Sequence, residues 1–109
     1  MADREGERMN LLNETIEVLK DYKKTEQDVL WVGADKSYMT WDDFAKRADY
    51  EYDSGYGGQE INSHLLVVGK SFWLERHEYD GSEWWEYKEQ PKKPKQHGEV
   101  KLKYSLWDD

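Results

Sequence analysis

Five side chains on two neighbouring aromatic segments have the types and spacing for chemistry: Trp73, Glu75 and His77 in one, Trp84 and Glu86 in the other, on either side of Asp80-Gly81. Asp-Gly between two such runs predicts a two-residue type I′ turn, whose central positions both need positive φ. That turn pairs Tyr79 with Ser82, His77 with Trp84, Arg76 with Trp85, Glu75 with Glu86 and Leu74 with Tyr87. Side chains alternate along a strand, so Phe72, Leu74, Trp85 and Tyr87 share one face, with Arg76 placed to stack on Trp85. This is the expected core side. Trp73, Glu75, His77, Trp84 and Glu86 share the other. Two carboxylates directly opposite one another cost free energy unless positive charge lies beside them. Three readings fit. Glu75, His77 and Glu86 are a metal site or acid/base pair; or the face is solvated and Lys88 or His77 neutralises the carboxylates; or it is a recognition surface. The last is preferred, because paired indoles ringed by charge are the anchors that protein interfaces use. A bulge residue in the turn shifts the register and dissolves the cluster.

A second group of oxygen ligands lies in the glycine-rich stretch. Asp49, Glu51, Asp53, Gly57 and Glu60 fall at positions 1, 3, 5, 9 and 12 of a loop counted from Asp49, which resembles an EF-hand and makes calcium or another divalent cation a candidate. The pattern departs from an EF-hand at Ser54, where the sharp-turn glycine belongs, at Tyr56, and in the strand expected after Glu60. A helix terminus running into an acidic loop is the simpler account. Gly55-Tyr-Gly57-Gly58 fits neither the P-loop nor the dinucleotide fingerprint, and its acidic neighbours repel phosphate. Ser54, Ser63, Ser71 and Ser82 have no elbow or base arrangement, and there is no cysteine. His64 and His97 read as structural or exposed. No catalytic motif is recognisable, and no enzyme is expected.

The elements that must position these groups are legible in part. Met9, Leu12, Ile16, Leu19 and Tyr22 keep a helical rhythm that predicts a first helix over 10–23, after an unpatterned, disordered lead over 1–8. Val29–Val32 reads as a buried strand closed by Gly33. Thr40 with Asp43 has the form of a capping box, and Trp41, Phe44, Ala45, Ala48 and Tyr52 predict a second helix reaching about Asp53, stopped by Gly55, Gly57 and Gly58. Leu65–Val68 is a further strand, and Phe72–Tyr79 and Glu83–Glu89 form the hairpin. Pro91 to Gly98 is a basic linker, and Val100, Leu102, Tyr104 and Leu106 alternate with polar neighbours as a C-terminal strand does. The expectation is one α+β domain over 9–109, with two helices packed on a mostly antiparallel sheet of about four to five strands.

Composition narrows the class. Of 109 residues, 16 are aromatic, which argues for a folded body with an aromatic core although 37% of the residues are charged. Cysteine is absent and no run reaches the length of a membrane span, so a reducing cytoplasm is expected, without membrane insertion or export. Residues 1–87 hold 20 acidic and 10 basic side chains, a net of −10, while 88–109 hold 4 and 6. An acidic body repels phosphates, which disfavours direct nucleic-acid binding and favours a protein partner with a basic surface. The same acidity serves solubility.

The strings Trp41-Asp-Asp-Phe44, Ala48-Asp-Tyr-Glu-Tyr-Asp-Ser-Gly-Tyr-Gly-Gly-Gln-Glu60 and Trp73-Leu-Glu-Arg-His-Glu-Tyr-Asp-Gly-Ser-Glu-Trp-Trp-Glu-Tyr87 resemble those of small uncharacterised proteins encoded by phages and prophages of Gram-positive bacteria. This similarity spans about half of the chain and carries no catalytic residues. It implies an intracellular phage accessory protein, for which inhibiting a host enzyme or defence complex is a common role. The expected function is an acidic protein-binding module, an inhibitor or modulator of a host nucleic-acid-binding protein. The alternatives are a metal-binding protein or metal-dependent enzyme, and a virion structural or assembly component.

Overall fold

The computed structural model describes residues 8–53 and 58–104. Residues 1–7 of the expected lead, the glycine stop at 55 and 57, and the end of the expected C-terminal strand lie outside them. The fold is α+β, built from two helices and two antiparallel sheets.

The first described element is a short strand, β1 (Arg8–Asn10), so Arg8, expected in the lead, is a strand residue. Helix α1 (Leu11–Asp21) follows, capped by the Asn10 side chain, which accepts from the Asn13 N–H at 2.9 Å. It stops where Lys23 adopts φ 62°, letting the Lys23 and Lys24 N–H groups close on the carbonyls of Lys20 and Leu19. A single 3-10 turn (Glu26–Asp28) leads into β2 (Val29–Ala34), which folds back through Asp35-Lys36 onto β3 (Ser37–Met39). That hairpin was not legible in the sequence. Asp35 takes φ 55°, and Gly33 is required beside it because a Cβ there would meet the Ser37 carbonyl at 2.6 Å.

Thr40 caps α2 (Trp41–Arg47) by accepting from the Asp43 N–H at 3.1 Å, as the capping pattern predicted. The helix is shorter than the expected span to Asp53. Its end is set by α1: the carbonyls of Ala48 and Tyr50 turn away to accept from the Leu12 and Leu11 N–H groups, which the first turn of α1 leaves unpaired. The chain then forms β4 (Glu51–Asp53), which pairs with β1. Tyr52, expected on the helix, is a strand residue buried at 2% exposure.

Strands β5 (Leu66–Gly69), β6 (Phe72–Tyr79) and β7 (Ser82–Glu89) complete a five-stranded sheet in the order β3-β2-β5-β6-β7. The β6-β7 register matches the predicted one pair for pair, with Asp80 at φ 52° and Gly81 at φ 89° in the turn. One cross-strand row, Val32, Val67, Leu74 and Tyr87, faces the core, where Leu11, Leu19 and Phe44 from the helices meet it. The rows on either side, Trp31–Val68–Trp73–Lys88 and Gly33–Leu66–Glu75–Glu86, point the opposite way. No helix among the described residues is long and apolar enough to cross a membrane.

The expected C-terminal strand is absent over 100–104. Every residue from Glu89 to Tyr104 is exposed, and Val100, Leu102 and Tyr104 keep 73%, 89% and 98% of their surface. Alternation alone does not make a strand. It needs a paired neighbour, and the proline-bearing segment carries these residues off the body.

Candidate functional site

On the core side of the hairpin lies a polar knot. The Arg76 guanidinium, with 0% side-chain exposure, reaches Glu83 Oε1 at 2.9 Å, Glu14 Oε2 at 3.3 Å and the Tyr52 hydroxyl at 3.1 Å, and its carbon sits 4.8 Å from the centre of the Trp85 ring. Tyr52 in turn donates to Glu14 Oε1 at 2.6 Å, and Glu83 accepts the backbone N–H groups of Glu60 and Ile61 at 2.6 and 3.2 Å. Helix α1, strand β4, the segment at 60–61 and the hairpin are thus joined at one cation. Burial works against that cation, but Glu14, Tyr52 and Glu83 outweigh it and hold Arg76 above its ordinary pKa. Burial, then the bond to Glu14, lifts Tyr52 well above the usual phenol range. The stacking of Arg76 on Trp85 was expected; the ionic knot was not. Its signal was present, since period two places Glu83 on the face of Trp85, where a carboxylate needs a buried partner.

The opposite face carries the predicted surface. Trp73, Glu75, His77, Trp84 and Glu86 come together there, each half-buried, on a side of the sheet that neither helix covers. The carboxylates are tied to their own strands: the Trp73 indole donates to Glu75 at 2.8 Å and the Trp84 indole to Glu86 at 3.2 Å. His77 Nε2 lies 2.7 Å from Glu75 and 3.7 Å from Glu86, and Lys88 Nζ lies 3.4 Å from Glu86. The repulsion built into the Glu75–Glu86 pair is therefore relieved from within. Hydrogen bonding from His77 and then Trp73 holds Glu75 below the ordinary carboxylate range, and bonding from Trp84 does the same for Glu86, with His77 and Lys88 adding to it. Both carboxylates are anions at neutral pH, already satisfied by protein donors.

These directions fix a pH response. A carboxylate with a depressed folded pKa stabilises the native state above its unfolded value, about 4.3, and the contribution is lost as pH falls through the lower folded value. Replacing Glu75 by glutamine is expected to remove that contribution, so that stability at neutral pH falls modestly, the group being partly solvent-screened, and the acid limb of the profile below about pH 4.3 flattens by the same amount. Urea titrations at a series of pH values measure it, and an unaltered acid limb contradicts the depressed pKa.

Further along the same face, Trp31 and Tyr38 meet edge to face at 6.5 Å and, with Gly33 and Leu66, line a groove of about 350 Å³ beside the β2-β3 turn. Sequence reasoning missed this groove because it missed β3. Its signal was the indole of Trp31 standing two residues before Gly33 in an apolar run. His64, exposed as expected, reaches Asp35 in that turn at 2.8 Å.

The glycine-loop carboxylates do not converge. Asp49 accepts from the Asn10 side chain at 2.9 Å, Glu51 faces Arg8 at 3.7 Å across the β1-β4 pair, and Glu60 accepts from the Asp53 N–H at 3.5 Å. A strand at 51–53 sends Glu51 and Asp53 to one side and Tyr52 to the core, and Asp49, Glu51 and Glu60 are engaged locally; Gly57 lies outside the described residues. Among the described residues no group of three His, Cys, Asp or Glu side chains can hold a metal ion, at this loop or at the hairpin. No protein-family model matches this chain, and no curated protein or solved structure matches it either.

Proposed function

We propose that this protein is a non-enzymatic protein-binding module whose helix-free sheet face docks a protein with a basic surface. The observation that carries the reading is the pairing on one face of half-buried indoles, Trp73 and Trp84, with ionised carboxylates fixed beside them, and the Trp31–Tyr38 groove next to it. Aromatic anchors supply contact area, and fixed negative charge supplies steering and choice of partner. The described body, residues 8–89, holds 18 acidic and 10 basic side chains, so its long-range field favours a cationic partner over nucleic acid. With the similarity to phage-encoded proteins, the partner this reading favours is a host nucleic-acid-binding protein, with the acidic face occupying the basic groove meant for phosphates.

Affinity capture from a bacterial lysate with the intact chain and with a Trp73→Ala/Trp84→Ala variant tests it. The expected result is a basic protein retained at low salt, weakened at moderate salt and lost with the variant. Capture that is insensitive to both salt and the two indoles overturns the reading.

A further inference from the structure

We infer that β7 accepts a fifth-to-sixth strand extension from a second copy of this chain, with Val100–Tyr104 of each copy adding to the β7 edge of the other. Three independent features of the structure meet in this assignment: an open edge with a groove beside it, a free segment with the pattern of a strand, and opposite charge on the two.

The sheet ends at β3 on one side and β7 on the other. β3 is three residues long, which is how edges are kept inert; β7 is eight residues long and, among the described residues, has no strand on its outer side. Along its second half runs a groove of about 340 Å³ between the sheet and α1, lined by Val18, Asp21, Tyr22, Trp85, Glu86 and Tyr87. Trp85–Glu89 offers five residues of edge, and Val100–Tyr104 is five residues long.

The tail segment alternates apolar Val100, Leu102 and Tyr104 with Lys101 and Lys103. A strand laid on β7 sends alternate side chains to opposite faces of the sheet. On the α1 side it meets Val18, Tyr22 and Tyr87, which suits the apolar set; on the helix-free side it meets Glu86, which suits the lysines. Main-chain hydrogen bonding supplies affinity in such strand addition, and alternate side chains supply register. Residues 90–104 carry five lysines against one acid, Glu99, opposite in sign to the body they would meet.

The occupant is a second copy rather than the chain's own tail. Pro91 and Pro94 keep the start of the segment extended; after the Gln90 N–H donates to the Ser71 carbonyl at 2.7 Å the chain leaves β7, and residues 91–104 are exposed throughout. The chain has a radius of gyration of 18.0 Å, against about 13 Å for a compact domain of this length, as suits a segment standing off its own body. Reciprocal exchange uses each edge and each tail once and closes as a two-fold dimer.

Light scattering and sedimentation of the intact chain over a concentration series test the inference, with a Val100→Asp/Leu102→Asp variant alongside. Both substituted positions are exposed, so far-UV circular dichroism of the variant stays that of the parent. The expected result is a concentration-dependent species of twice the 13.1 kDa chain mass, lost in the variant, with backbone amides of 100–104 protected from exchange only in the dimer. Monomer at every concentration, a dimer that survives the two substitutions, or protected 100–104 amides in a monomer each overturns it, the last by showing the tail on its own edge.

Discussion

Arg76→Met is expected to cost about 3–5 kcal/mol of folding stability, because it removes the cation from a buried group of acids rather than removing the group. Glu83 has 0% and Glu14 8% side-chain exposure, and the methionine leaves both facing the interior without their guanidinium. A domain of this size has about 5–15 kcal/mol in all, so the variant is marginal at neutral pH. Urea denaturation measures the loss. Adding Glu83→Gln to Arg76→Met is expected to recover part of it, since the amide oxygen still accepts one of the two backbone N–H groups, of Glu60 or Ile61, while the negative charge that faced Arg76 is gone. A double variant no more stable than the single one shows that the knot is held by packing and not by charge.

Trp85→Ala is expected to cost about 3–5 kcal/mol by a different route, the cavity left by a ring that is 5% exposed. The indole N–H donates to the Thr15 hydroxyl at 2.8 Å, and that hydroxyl donates to the Leu11 carbonyl at 2.7 Å, so the ring fastens the sheet to the first turns of α1. It is also the surface on which Arg76 lies. The neighbouring substitution Trp84→Ala removes an equal ring from the helix-free face, where it is half-buried, and is expected to cost about 1 kcal/mol or less. Thermal or urea melts of the two variants compare adjacent positions of one strand. Equal losses contradict the assignment of the two faces.

The hairpin was readable because its information is local. Asp80-Gly81 selects the turn, the turn sets the register, and period two divides Trp73 from Leu74 and Trp84 from Trp85 without reference to the rest of the chain. The same locality explains Thr40, whose hydroxyl needs only the N–H of Asp43, three residues on. Failures came where an element depends on a distant partner. The second helix ends at Arg47 because Ala48 and Tyr50 give their carbonyls to α1, some 38 residues earlier, and nothing in 48–53 announces that. Val100–Tyr104 shows the reverse case, a period-two pattern with no paired strand among the described residues. Glu14, on α1, carries no local signal of its role, which is set by Arg76, 62 positions away. At Glu75, His77 and Glu86 a local feature that was in view went unread: two indoles stand two residues from the carboxylates and donate to them.

Those indole bonds also change what association has to overcome. A glutamate on an ordinary strand surface samples several rotamers and must be frozen when a ligand settles on it, at a cost of about 0.5–1.5 kcal/mol per side chain. Glu75 and Glu86 are already clamped, each between an indole and the shared imidazole. A protein that lands on this face finds its acceptors standing in place, and that part of the ordering entropy has been spent in folding.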